Sequence, residues 1–308
     1  MIRALNEAEH LPALYQGIAL QTRVPDEVIL VDSGSSDATV LISQNAGAKV
    51  VYIPSADFSF GRALNVGCEA AIGDVLVFVS AHVYPVDKHW LENLVAPFES
   101  HSEVALVYGK QTGDERSAFS EIQVMRRWFP DSSNRDQETP FCNNANCAIR
   151  TSVWVSQAYD EKLTGLEDMH WAKAALADGH RLWYEASAEI VHLHDESYSQ
   201  TVNRYRREAI AHKRIFGAQK MGAIEAIWLF VANTARDYLA SVPRRRLFRD
   251  FVSIPRFRFA QFRGSWQGFR DDADPTAEMK RHFYYPKGFT ARSQRRPPQD
   301  HPNPPKGT

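Results

Sequence analysis

Sulfur is scarce in this sequence: 308 residues hold three cysteines, Cys68, Cys142 and Cys147. The count is odd and the spacing matches no cysteine metal motif, which excludes a disulfide framework and favours reduced thiols in a cytoplasmic compartment. Long apolar runs are missing too. The nearest, Ala226 to Ala232, lies between Glu225 and Asn233 and falls far short of the roughly 18 residues a membrane span needs. Met1 leads directly into Arg3, Asn6 and Glu7, so no signal peptide is expected. No internal repeat is present. With 44% hydrophobic and 24% charged residues, the chain has the composition of a soluble globular protein large enough for one big domain or two small ones.

The net charge of −1 conceals an asymmetry. Residues 204–270 carry 15 Lys and Arg against 4 Asp and Glu, a net of +11, whereas residues 1–203 carry 14 against 28, a net of −14. An acidic first part is followed by a basic, aromatic-rich one.

Strand and helix patterns alternate along the first part. Met1 to Leu5 reads as a strand; it is short, and a few of its residues are expected to be missing. Glu27 to Val31 is a second strand, running into Asp32-Ser33-Gly34-Ser35-Ser36-Asp37, small residues that permit a tight turn, with Ser36 or Asp37 able to cap a helix through Val40 to Asn45. Lys49 to Ile53 is a third strand. A helix opens at Phe60-Gly61-Arg62-Ala63-Leu64-Asn65, and Val104 to Tyr108 is another buried strand. Glu115 to Thr139 reads as a helix followed by a mobile loop. Leu166-Glu167-Asp168 begins a helix that stops at Gly179, and Trp183-Tyr184 and Ala188 to Val191 are the last strands. Helices are expected over Ser199 to Phe216 and Ala223 to Ala240, and a proline-rich disordered tail beyond Pro286. Alternation of this kind implies a doubly wound α/β layer.

One stretch stands apart. Val75 to Val79 is a β-branched-rich run bounded by Gly73-Asp74, suited to a central parallel strand buried on both faces. Ligands in open α/β sheets bind outside the carboxyl ends of strands, so Ser80, Ala81 and His82 stand where chemistry is expected.

Taken together, Ile2-Arg3-Ala4-Leu5-Asn6-Glu7, Val31-Asp32-Ser33-Gly34-Ser35-Ser36-Asp37, Gly61-Arg62-Ala63-Leu64-Asn65 and Gly165-Leu166-Glu167-Asp168 resemble, in order and strand context, family 2 glycosyltransferases of the GT-A fold. The closest flavour is the rhamnosyltransferase-like branch. The resemblance implies a mixed sheet flanked by helices and transfer of a sugar from a nucleotide-diphosphate donor, UDP- or dTDP-linked in the first instance, with inversion. It makes Asp168 the general base, with Glu167 beside it holding the acceptor or raising its proton affinity. It places Ala4, Asn6, Glu7, Asp32, Ser33, Asp37, Arg62, Asn65, Ser80 and Ala81 around the donor, and Asn143, Asn144 and Asn146 beside the acceptor or the donor sugar.

The family's usual Asp-x-Asp is replaced here by Ser80-Ala81-His82. Histidine is a competent ligand, and His192 and His194 follow at the end of a later strand, where alternation puts both on one face. Imidazole shifts preference from magnesium toward manganese or another transition metal. Three readings stay open: a divalent metal (Mn or Mg) held by His82 with His192 or His194, a metal-free site in which histidine and arginine stabilise the leaving diphosphate, and a retired site.

Arg204, Arg206, Arg207, Lys213, Arg214, Arg244 to Arg246, Arg256-Phe257-Arg258-Phe259 and Phe262-Arg263 interleave cations with aromatics. That pattern fits an anionic membrane surface presenting a lipid-linked or saccharide acceptor, on the inner face of the cytoplasmic membrane; a solvated face or a homo-oligomer interface is the plainer alternative. No motif supports nucleic acid. The expected division is a catalytic domain over 1–198, a basic helical extension over 199–285 and a tail over 286–308. Against the enzyme stands a non-catalytic scaffold that kept the fold and lost its metal motif. A sugar nucleotidyltransferase is disfavoured because no glycine-rich, lysine-containing signature follows the first strand.

Overall fold

The computed structural model describes residues 1–271 except Ala218 and Arg245, together with Met279 and Tyr284. In chain order the elements are β1 (Ile2–Ala4), α1 (Leu11–Ala19), β2 (Ile29–Asp32), α2 (Thr39–Asn45), β3 (Lys49–Tyr52), α3 (Phe60–Ala70), β4 (Val75–Ser80), β5 (Val83–Pro85), α4 (Trp90–Ser100), β6 (Val104–Thr112), α5 (Phe119–Trp128), β7 (Asn146–Arg150), α6 (Thr151–Ser156), α7 (Glu167–Ala177), β8 (Arg181–His192), α8 (Tyr198–Phe216), α9 (Ala223–Ser241), α10 (Leu247–Asp250) and α11 (Ser253–Arg270). The strands form one mixed sheet in the order β3-β2-β1-β4-β7-β6-β8-β5.

The apolar run of β4 does build a central strand, but not a wholly parallel environment: β1 pairs with it in parallel and β7 antiparallel. The segment around Cys142 to Ile149 therefore supplies a strand inserted between β4 and β6. The two short final strands expected from the sequence are one continuous β8 of 12 residues, parallel to β6 and antiparallel to β5. Helix α4, unread in the sequence, covers one face of the sheet with α1, burying Leu11, Leu14, Trp90 and Leu94. On the other face Leu64, Met125 and Trp171 from α3, α5 and α7 pack against Phe78 and Ile149. Burial of this kind stabilises by about 25 cal/mol per Å² of apolar surface removed from water.

Local chemistry sets the details. Gly34 adopts φ +104, the left-handed region its lack of a side chain permits, and turns the chain after β2. At Gly61 a Cβ would lie 2.4 Å from the Asp160 carbonyl oxygen, so glycine is what lets α3 start against that segment. The helix cap expected from Asp37 takes another form: Oδ1 accepts from the Thr39 N–H, and Oδ2 from the Ala8 N–H, tying the turn between β1 and α1 to the start of α2. Helix α8 begins with a reciprocal Ser197–Gln200 capping box.

The segment after α5 is not the free loop expected of Glu115 to Thr139. Asn134 bridges Tyr184 of β8, Tyr108 Oη donates to Gln137 Oε1 at 2.6 Å, and Tyr184 Oη donates to the Pro130 carbonyl at 2.6 Å. Much of the basic segment is also spent internally. Arg204 pairs with Glu121 and Glu196, Arg206 with Asp271, Arg246 with Asp250, and Arg258 with the buried Asp237. These ion pairs join α8 to α5 and to the end of α11, and α11 to α9. The expected tail beyond Pro286 lies outside the described residues. All three cysteines are free thiols in the core, and burial raises the pKa of Cys142 and Cys147 well above the usual thiol value.

Candidate active site

The carboxyl ends of β1, β2 and β4 converge in register: Ala4 lies beside Asp32, and Arg3 beside Ser80. Asp32 is buried; its Oδ2 accepts from the Gly34 and Ser35 N–H groups at 3.0 and 3.1 Å, which fixes the carboxylate at the strand end. The Ala4 carbonyl accepts from both the N–H and the Oγ of Ser33. Asn6 sits at φ 55, its Oδ1 accepting from the Ser36 N–H at 2.7 Å, and the Glu7 N–H donates to Thr39 Oγ1. Ala4, Asn6, Glu7, Asp32, Ser33 and Asp37 are thus brought into one cluster of turns.

Asn65 is not available to a ligand. Its Nδ2 donates to the Tyr159 carbonyl and Glu161, and its Oδ1 accepts from the Tyr159 N–H and Trp154 Nε1. It is a structural clasp between α3 and residues 154–161. Arg62 is engaged by Glu161 at 3.3 Å.

His82 follows β4 at the tip where β5 pairs with β8. Val83 lies opposite His192, and the His82 carbonyl accepts from the Leu193 N–H at 3.1 Å. This pairing, across more than a hundred residues of sequence, stacks the His82 and His192 rings 5.1 Å apart and brings His194 to 4.1 Å from His192. Strand β8 ends at His192, so chain direction after the strand, not alternation along it, brings His194 alongside. One nitrogen of each ring lies within 4.8 Å of the others, the only such His, Cys, Asp or Glu group among the described residues. Burial, then the neighbouring His194 and His82, pushes the His192 pKa well below the usual histidine value, so its ring is neutral, and its Nε2 is buried without a partner. A neutral imidazole with an orphaned nitrogen, as at His192, fits a divalent metal.

Sequence reasoning missed the groups behind these rings. Gln111 Oε1 meets His192 Nδ1 at 2.8 Å, and Glu121 Oε1 meets His194 Nδ1 at 2.6 Å. Burial opposes ionisation of Glu121, but Arg204 and His194 outweigh it and hold the carboxyl down at about 2. The one available signal was a charge at a buried position of α5 beside Phe119 and Ile122.

Helix α7 begins from Leu166 at φ 54. Leu166 and Asn6 are the only non-glycine residues with positive φ among the described ones. Strained backbone of this kind persists where surroundings over-determine it, often at functional sites. It sends Glu167 and Asp168 into the interior, where Glu167 meets Arg3 at 3.4 Å. Asp168 Oδ1 accepts from the Met169 N–H and Oδ2 from the Asn144 N–H. Burial, then the Glu167 charge, pushes the Asp168 carboxyl up to about 7 despite these bonds.

Of the three asparagines, Asn146 is fully used: its Oδ1 accepts from Trp90 Nε1, and its Nδ2 donates to the Lys110 and Ala188 carbonyls. It is a core residue, not an acceptor contact. Asn143 Oδ1 accepts from the Ala145 N–H. Asn144 is buried with both amide atoms unpartnered, adjacent to Asp168.

Comparison with known proteins places this geometry. The O-antigen chain rhamnosyltransferase RfbN of Salmonella typhimurium is 29% identical over 226 residues, 69% of this chain and 71% of that protein. WbaN, an O-antigen chain rhamnosyltransferase of Salmonella anatum, is 26% identical over 203 residues, 62% of this chain and 64% of the relative. Among solved structures, a mannosyltransferase of Pyrobaculum calidifontis in complex with GDP-Man and Mn2+ superposes with a TM-score of 0.60 at 16% identity, covering 88% of this chain and 86% of that one. S. aureus TarS superposes with a TM-score of 0.52 at 17% identity, covering 86% and 88%. These structures share the GT-A fold. The model of glycosyl transferase family 2 matches residues 1–155, half of the sequence and the part that carries β1, the Asp32 turn and His82, and the chain belongs to that family.

Proposed function

We propose that this glycosyltransferase works with inversion, moving a hexose or deoxyhexose from a UDP- or dTDP-linked donor to a saccharide or lipid-linked acceptor in surface polysaccharide or glycolipid assembly. The observation that carries the reading is Asp168: a buried carboxyl with a pKa raised to about 7, held by two backbone N–H groups beside the unpartnered amide of Asn144. The names of the Salmonella relatives make a rhamnosyl donor the first to try.

The nucleoside is assigned to the Asp32–Asp37 turn and the diphosphate to the space over Ser80, Ala81 and His82. The acceptor hydroxyl attacks the anomeric carbon from the face opposite the diphosphate. As the new C–O bond forms and the bond to the diphosphate breaks, Asp168 takes the hydroxyl proton. A base with a pKa near the working pH combines adequate ionisation with useful proton affinity. Asn144 offers a donor and an acceptor to a sugar hydroxyl, and Glu167 holds Arg3 in place. His82, His192 and His194 would hold a divalent ion, which when bound neutralises charge developing on the leaving diphosphate.

The chain is divided in this reading into a catalytic domain over 1–198 and an extension over 199–285, helical through Arg270, whose residues 272–285 other than Met279 and Tyr284 lie outside the described ones. No helix among the described residues is long and apolar enough to cross a membrane. Helix α9 nevertheless exposes Ile224, Ile227, Trp228, Val231 and Leu239 along one stripe, with Phe248 of α10 nearby in sequence. Apolar residues at i, i+3, i+4 and i+7, together with Arg244 and Arg249, match an anionic bilayer surface carrying a lipid-linked acceptor.

The test is incubation with a panel of UDP-, dTDP- and GDP-sugars and a lipid-linked acceptor, with the product's anomeric configuration read by NMR. An inverted product supports the reading, and a retained configuration refutes it.

A further inference from the structure

Resting on the reading that the donor diphosphate lies over His82, we infer that His82, His192 and His194 form an all-imidazole site. It binds a nitrogen-preferring divalent transition ion, of the Zn2+ or Co2+ class, in the absence of nucleotide and discriminates against Mg2+. The geometry of the second layer carries this. Two rings have their Nδ1 committed to an oxygen acceptor, Glu7 Oε1 for His82 at 3.0 Å and Gln111 Oε1 for His192 at 2.8 Å; His194 Nδ1 lies 2.6 Å from Glu121 Oε1 and 3.2 Å from Arg204 Nη1. A neutral imidazole has one N–H, and an oxygen acceptor draws it to Nδ1, leaving the Nε2 lone pair for a metal. The buried, partnerless Nε2 of His192 is the visible result.

The second layer is itself braced. Arg204 Nη2 donates to Glu121 Oε1 at 2.6 Å, and Arg204 Nε pairs with Glu196 at 3.0 Å, so a chain of ion pairs from α8 through α5 sets the His194 ring. The ligand set contains no carboxylate. Mg2+ requires near-octahedral oxygen ligands and gives up water reluctantly, whereas imidazole suits zinc, cobalt and their neighbours. Because neutral rings leave the ion's two positive charges uncancelled, all of that charge faces the diphosphate. Glu7 and Glu121 moderate it from behind.

The experiment is equilibrium dialysis of the full, metal-stripped chain against Co2+, Zn2+, Mn2+ or Mg2+ alone, with the visible spectrum of bound Co2+ as a second readout. One Co2+ or Zn2+ per chain is expected, bound at least 100-fold more tightly than Mg2+. Glu7→Gln and Glu121→Gln are each expected to weaken Co2+ binding by about 10–100-fold. His82→Ala, at the partly exposed tip, should change the Co2+ spectrum while thermal melting shows a folded chain; His89→Ala should change nothing. Mg2+ binding as tight as Co2+, or a Co2+ spectrum indifferent to His82→Ala, overturns the inference. Nucleotide-sugar binding, followed separately by calorimetry, tests the other reading: Co2+ binding with no nucleotide binding removes the transferase assignment and leaves the metal site standing.

Discussion

The backbone N–H of Asn144 donates to Asp168 Oδ2 at 3.2 Å, joining the turn before β7 to the first turn of α7. Two N–H donors favour the carboxylate, yet burial and the adjacent Glu167 win, and the pKa rises. Asp168→Asn keeps the shape and removes the proton acceptor. Transfer should fall by about 10²–10⁴-fold while nucleotide affinity changes little. Single-turnover assays and calorimetry read the two effects separately, and near-full transfer would exclude Asp168 as the base.

The same carboxyl predicts a pH profile. Asp168 must be ionised to act, so kcat should rise with pH through about 7. Glu167→Gln removes the like charge and should move that limb to lower pH, a shift that loss of packing alone would not produce.

Stability should follow with the opposite sign. The folded-state pKa lies above the unfolded value, so the stabilisation from the protonated carboxyl is complete below the unfolded pKa and is lost as pH rises through about 7. Asp168→Asn escapes this loss and should be more stable than the natural chain at pH 8.5, by on the order of 2 kcal/mol. Urea denaturation at pH 6 and pH 8.5 checks both the sign and the size.

Asn65 supplies a contrast. Its amide bonds only to residues 154–161. Asn65→Ala should therefore cost about 1–3 kcal/mol of stability and leave nucleotide affinity unchanged. A selective loss of nucleotide binding would return it to the donor site.

Arg258 and Asp237 form a bidentate pair at 2.7 and 2.9 Å, both buried, joining α11 to α9. Asp237→Ala leaves a guanidinium in the core without its partner and should cost about 3–5 kcal/mol. The surface beside it behaves differently. Trp228→Glu with Ile227→Glu lies on the exposed stripe, so it should leave the melting temperature within a few degrees while abolishing flotation with anionic liposomes. Unchanged flotation would remove the membrane assignment, and a dimer-to-monomer change would assign the stripe to self-association.

Local chemistry wrote much of this protein into its sequence. The β-branched run of β4, the small residues after Asp32 and the acids opening α7 are dictated by neighbours a few positions away, so strand, turn and helix starts were legible. Tertiary structure decided everything that depends on pairing at a distance. Nothing near Asn65 or Asn146 distinguishes an amide that meets a sugar from one that ties a core together; that follows from Tyr159 and Trp90 arriving from elsewhere. The arginines of α8 and α11 read as surface charge until the fold buried carboxylates against them. The three histidines come together only because β5 pairs with β8, and Glu7, Gln111 and Glu121 reach their Nδ1 atoms from three other parts of the chain.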